Sequence, residues 1–252
     1  MNALKKLTTP PWFALALGVP AFALMAMLMA SGLDERELFI PGHFAGILLW
    51  ILTAAMCVLT FLSVRSYSGK TKYGRMFPAS IPAAAGILGA ALAVLASTWQ
   101  IWTSNTDLLD LAVVILGVSS CVALVWLAWC RYRGTRGSFL LWSLFTAFLM
   151  LRLMLSYRTW SAEPELLRYC FPMLASACLT LAGYYRTAFS VGMGSRQRYL
   201  FFTQLSIFFC MTVLGSNFDL FYLGMLLWCA LDLTVLRPFQ NPPKESQTEE
   251  AP

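Results

Sequence analysis

The chain has 252 residues, 59% of them apolar and only 12% charged, with 18 Lys and Arg against 12 Asp and Glu. Soluble domains run at roughly 45–50% apolar and about 25% charged residues, so this composition excludes an ordinary soluble enzyme or binding domain and selects the membrane class. The net charge of +6 does not call for a nucleic-acid partner, because its distribution has a simpler cause set out below.

A helix needs about 20 apolar residues, at 1.5 Å each, to cross the hydrocarbon of a bilayer. Eight stretches meet or approach this: 12–31, 43–63, 80–102, 109–130, 138–158, 167–186, 199–214 and 220–236. The expectation is an all-α, polytopic membrane helix bundle of about eight transmembrane helices. Residues 1–236 form one transmembrane domain, and 237–252 form a cytoplasmic tail.

The first stretch invites confusion with a cleaved signal peptide. Its apolar run exceeds the usual 7–15-residue core of such peptides, and Pro20 interrupts it, so a retained span is expected. At the mouth of the second stretch stands His43, the one histidine, beside Pro41 and Gly42. A lone interfacial imidazole reads first as a headgroup or backbone contact. The loop that follows carries "YSGKT", which ends like a phosphate-binding loop, but Val64 occupies the position where the first glycine belongs.

In the third stretch Ala85, Gly89, Ala93 and Ser97 recur every four residues, with Gly86 and Ala90 alongside. Small residues at this spacing let helix backbones approach closely in lipid, so this helix is expected to be central. The fourth stretch ends in the basic "CRYR". The fifth is unusual, because "FLMLRLMLSYRTW" sets Arg152 inside an apolar run. Counted from Ser138, Arg152 lies roughly 21 Å along the helix, and Ser156 and Thr159 share its face at i+4 and i+7.

After the sixth stretch, "GMGSRQ" begins like a dinucleotide fingerprint but has Gln197 in place of the third glycine. The seventh and eighth stretches are short and joined by "GSNFD", which leaves a re-entrant hairpin as the alternative to two full spans. Asp232, in "CALDLTVLR", falls about one turn from the end of the last. A carboxylate there opposes the helix dipole and wants a cation; Arg131, Arg133, Arg186 and Arg237 stand at that depth. The tail "RPFQNPPKESQTEEAP" has almost nothing to bury and is expected to be disordered.

Orientation follows from the basic residues of the short loops. With the N-terminus inside, fourteen of the eighteen fall on the cytoplasmic side, in clusters around Lys5, Lys70, Arg133, Arg196 and Arg237. Arg36, Arg158 and Arg168 fall outside, while Asp34, Glu35, Glu37, Asp107, Asp110, Glu163, Glu165 and Asp219 gather there. Both termini are therefore expected in the cytoplasm, in the cell membrane, and basic loops facing anionic lipid account for the net charge. Tryptophan gives the same registration. Trp12, Trp126, Trp129 and Trp142 would lie at the inner interface, Trp99, Trp102 and Trp160 at the outer one, and Trp50 and Trp228 between helices.

Chemistry inside the membrane lacks parts. The seven cysteines form no CxxC pair and the single histidine cannot complete a zinc set, so no metal is expected. All five lysines lie outside the spans, which excludes a retinal-type Schiff base, and paired intramembrane carboxylates are missing. No cofactor and no enzymatic activity are expected. The recurring "VRSY", "CRYR" and "YYRT" are read as what inward-facing turns look like, not as a repeat.

Charged residues within spans are functional candidates by default. Arg152 and Asp232 should lie near opposite faces and not meet. Around the outer mouth the topology gathers Arg152, Ser156 and Thr159 with His43, Trp99, Gln100, Trp102, Tyr157, Arg158 and Asp219. Guanidinium, aromatic rings and amides suit a small polar or anionic ligand. The competing reading is that Arg152 snorkels or pairs with Asp107, Asp110 or Asp219. The leading function is thus a non-enzymatic transporter, or a substrate-recognising membrane subunit. The alternative is a sensor or assembly subunit that meets a protein partner through basic cytoplasmic loops.

Overall fold

The computed structural model describes residues 11–32, 39–40, 42–65, 76–104, 108–160 and 166–236. Eight helices make up its framework: α1 (Pro11–Ser31), α2 (Phe44–Val64), α3 (Ile81–Ser104), α4 (Leu108–Arg133), α5 (Phe139–Trp160), α6 (Leu166–Ser190), α7 (Arg196–Ser216) and α8 (Leu220–Thr234). The protein is an all-α helix bundle, and α1 to α5 and α7 are long and apolar enough to cross a membrane. Helix α6 has the length without the apolarity, while α8 is apolar but has 15 residues, or about 22 Å. Half of the fourteen basic residues assigned to the cytoplasmic side, including Lys5, Lys70, Lys72 and Arg237, lie outside the described residues, as does the expected disordered tail.

Helices α3 to α8 pack in succession, and α8 returns to α3, so the six close a ring. Helices α1 and α2 pack together against α7 on the outside of that ring. Closure at α3 and α8 depends on small residues. A Cβ on Gly224 would stand 2.2 Å from the Ala93 Cβ and 2.7 Å from the Gly89 carbonyl oxygen, and one on Gly86 would stand 3.0 Å from the Leu231 Cβ. Without a hydrophobic force between helices in lipid, this close approach supplies the van der Waals contact that joins them. The contact face of α3 runs through Gly86, Gly89 and Ala93, whereas Ala85, expected on the same stripe, is exposed.

The central helix is α7, not α3 as the small-residue stripe suggested. It touches α1, α2, α6 and α8, and of the six apolar helices it has both the largest buried share and the lowest hydropathy. The two go together. A helix facing lipid must be apolar all round, but one surrounded by protein can hold hydroxyls that satisfy themselves. Thr203, Ser206 and Thr212 each donate to the carbonyl one turn back, at 2.7, 2.7 and 3.0 Å. Helix α7 also begins earlier than the apolar stretch, because buried Arg196 belongs to its first turn. It is a full-length helix of 21 residues, so the hairpin alternative does not hold for it.

One tryptophan departs from the sequence expectation and one keeps to it only in part. Trp142, assigned to an interface, is 1% exposed and stacks on Trp228 with ring centroids 6.2 Å apart. Trp50, assigned between helices, packs against Phe171 of α6 with ring centroids 5.3 Å apart, while 45% of it stays exposed. Trp12, Trp126 and Trp129 are exposed on the outside of the bundle.

Candidate functional site

Two charged sites occupy the ring interior at opposite ends, separated by aromatic side chains. At one end Arg152 projects from α5 toward α3 and α8. Its Nη1 donates to the Ser97 hydroxyl, and its Nη2 lies 3.5 Å from Asp219 Oδ2. The face of the guanidinium lies 3.7 Å from the centroid of the Phe221 ring. Asp219 in turn caps α8, since its Oδ1 accepts a hydrogen bond from the Phe221 N–H at 2.8 Å. A side-chain cap satisfies one of the orphan donors of a helix start, and the helix dipole favours the carboxylate there. One arginine thus ties three helices together through a hydroxyl, a carboxylate and a ring.

Beside this pair opens a cavity of about 400 Å³. Helix α5 contributes Arg152, Ser156 and Trp160; α6 contributes Tyr169 and Pro172; the α7–α8 corner contributes Ser216, Asn217, Asp219 and Tyr222. Met29 and Val213 complete an apolar side. Trp160 and Tyr169 stack with centroids 5.3 Å apart. Tyr222 is held by Ser176, with their oxygens 3.1 Å apart, and donates to the Pro172 carbonyl at 3.4 Å. The polar groups converge on one side, with aromatic and aliphatic surface on the other, as in small-molecule sites generally.

Of the residues assigned to this mouth from the sequence, Arg152, Ser156 and Asp219 line the cavity. Trp99, Gln100, Trp102, Tyr157 and Arg158 are exposed on the outer faces of α3 and α5 and do not line it. His43 lines a separate cavity of about 230 Å³ with Met25, Trp50 and Phe171, and its Nδ1 is buried without a hydrogen-bond partner. The Thr159 side chain lies outside the described residues. Trp160, Tyr169, Asn217 and Tyr222 were not foreseen. A signal existed for two of them: Trp160 is eight residues after Arg152, and Tyr222 is three after Asp219, each on its neighbour's helical face.

At the other end Asp232 is fully buried among two arginines and a tyrosine. Arg131 Nη2 lies 3.2 Å from its Oδ1 and Arg186 Nε 3.6 Å from its Oδ2, and the Tyr199 hydroxyl donates to Oδ2 at 2.5 Å. The Arg186 guanidinium also lies 3.6 Å from the centroid of Phe77 and 4.8 Å from that of Trp142. Arg133, another candidate partner, instead covers the Trp129 ring on the surface, at 4.5 Å. Arg237 lies outside the described residues. Trp142, Phe145 and Trp228 form the layer above this cluster, with Phe145 edge-on to Trp228 at 5.2 Å. Set against families of known sequence, against characterised proteins and against solved structures, the chain matches none.

Proposed function

We propose that this multi-pass membrane protein binds a small polar or anionic ligand in the Arg152 cavity. It would do so without covalent chemistry, as a transporter or as the substrate-recognising membrane subunit of one. The observation that carries this reading is the cavity itself: an arginine and a carboxylate, both retaining accessible surface, on the wall of a space of about 400 Å³ within a ring of helices. An intramembrane charge is costly and needs a return, and a cavity beside it is where a ligand would supply one. A transport role is further supported by a second charged cluster at the far end of the same ring, with aromatic side chains between. Alternating access at a site enclosed by helices needs two such closable ends.

The ligand would enter from the outer face if the basic loops are cytoplasmic. Reporters fused after Arg136 and after Arg198 are expected to signal cytoplasm, and a reporter after Glu163 the exterior. Inverted signals at all three would place the Arg152 cavity on the inner side.

Binding is tested by filling the cavity. Protein purified from its native membrane in mild detergent is expected to release a small polar molecule on denaturation, detected by mass spectrometry. Ser156→Trp, which places a ring in the space, should reduce its recovery at least ten-fold with the thermal unfolding midpoint preserved. Equal recovery from both proteins, or none from either, would remove the proposal.

A further inference from the structure

We infer that the ligand of the Arg152 cavity is a zwitterion, whose anionic group meets Arg152 and whose ammonium meets Asp219. The inference rests on the cavity being a ligand site and adds the class of ligand.

Both partners are fixed from behind. Arg152 is held by Ser97 through Nη1 and has its guanidinium carbon 3.7 Å from the Phe221 ring centroid, so the group is fixed from two sides. Asp219 uses Oδ1 to cap α8 and turns Oδ2 toward Arg152. Their side chains retain 14% and 26% exposure respectively, and both line the cavity. Their separation of 3.5 Å is longer than a tight charge-assisted hydrogen bond. The pair is therefore prearranged yet not closed on itself.

The cavity wall thus carries one positive and one negative group side by side. An anion alone would approach Arg152 against the field of Asp219, and a cation alone would meet Asp219 against that of Arg152. In a site of low dielectric such like-charge encounters weigh heavily. A molecule with an anionic group and an ammonium a few bonds apart exchanges one protein ion pair for two. It is also neutral overall, which suits a site sunk into a bilayer. Ser156, Ser216 and Asn217 offer hydrogen bonds near the charged groups, and the stacked Trp160 and Tyr169 offer a face for the ammonium or for an apolar body. Two sources share this chemistry: a free amino acid, and the phosphoethanolamine headgroup of a lipid.

The test uses the full chain in detergent and follows its thermal unfolding midpoint. Four additives are compared: a pool of the twenty amino acids, a pool of the matching amines lacking the carboxylate, a pool of the matching acids lacking the amine, and glycerophosphoethanolamine. Either the amino acids or glycerophosphoethanolamine should raise the midpoint at concentrations at least ten-fold below those needed for the amines or acids. The first result identifies a free amino acid and the second a lipid headgroup.

Asp219→Asn supplies the second arm, because asparagine caps helices as well as aspartate does while it removes the charge. In that variant the preference for zwitterion over acid should collapse to within about two-fold. Acids or amines that stabilise the wild type as well as zwitterions do would overturn the inference while leaving the cavity a ligand site. So would an Asp219→Asn protein with unchanged preference. A midpoint that responds to no additive also overturns it, and the recovery experiment with Ser156→Trp then judges the cavity separately.

Discussion

Asp232→Asn is expected to be among the most damaging single substitutions in the protein, lowering stability in detergent by about 3–5 kcal/mol. From the sequence alone Asp232 is a carboxylate near a helix end with Arg131, Arg133, Arg186 and Arg237 at its depth, and if it only offsets local arginine charge an amide would serve there nearly as well. The structure places it at the centre of a dry cluster instead. Asp232, Arg131 and Arg186 are all 2% exposed or less, and Tyr199 donates to the same carboxylate. Two guanidiniums share one anion, so removing its charge takes that counter-ion from both in a buried site. The cost of an uncompensated buried charge is far larger than that of a lost hydrogen bond.

The same geometry orders the neighbouring substitutions. Tyr199→Phe removes one hydrogen bond to a charged group and should cost about 1.5–3 kcal/mol. Adding Arg131→Met to Asp232→Asn removes one of the two cations that shared the carboxylate. It should recover part of the loss, because Arg186 still has the faces of Phe77 and Trp142. Thermal unfolding and size-exclusion profiles in detergent measure all three. An Asp232→Asn protein within about 1 kcal/mol of wild type would mean that the cluster is hydrated and not a single neutralised unit.

Hydropathy carries most of the fold in this sequence, because a backbone in lipid must satisfy itself and long apolar runs leave it only the helix. What hydropathy misses is the ends. Arg196 opens α7, and Arg131 and Arg133 close α4. Read as loop residues, they are helical and in part buried, because protein surrounds them and not headgroups. The interior of the bundle is likewise hidden, since hydropathy gives depth along a helix but not direction around it. Trp99, Gln100 and Trp102 have the right depth to join Arg152, yet they leave α3 on the side away from the ring.

Asp219 was legible for the opposite reason. It sits at a helix start, where position alone fixes what its carboxylate can reach. Tyr169 was not legible at all. It reaches the cavity because α6 packs between α5 and α7, and no local pattern states which helices become neighbours.

Arg152→Leu is expected to remove ligand binding and to cost about 2 kcal/mol of stability, less than the loss at Asp232. An arginine at the centre of a bilayer costs about 2.5–3.5 kcal/mol to insert, and leucine escapes that cost. It also gives up the bond to Ser97, the ion pair with Asp219 and the stacking on Phe221. Asp219 loses less than the arginines around Asp232 would. It keeps its cap on the Phe221 N–H and a quarter of its surface stays accessible.

Arg152→Lys separates the two roles. Lysine keeps the charge near Asp219, but its single ammonium lacks the planar fork and the flat face, so it cannot serve Ser97, Asp219 and Phe221 together. It should therefore retain more than half of the stability that leucine loses while weakening ligand binding at least ten-fold. If lysine restores binding as well as stability, a point charge is sufficient and the oriented guanidinium edge has no part in recognition. If leucine alters neither stability nor binding, the three contacts that fix Arg152 contribute nothing, and the cavity loses its reason to be a site.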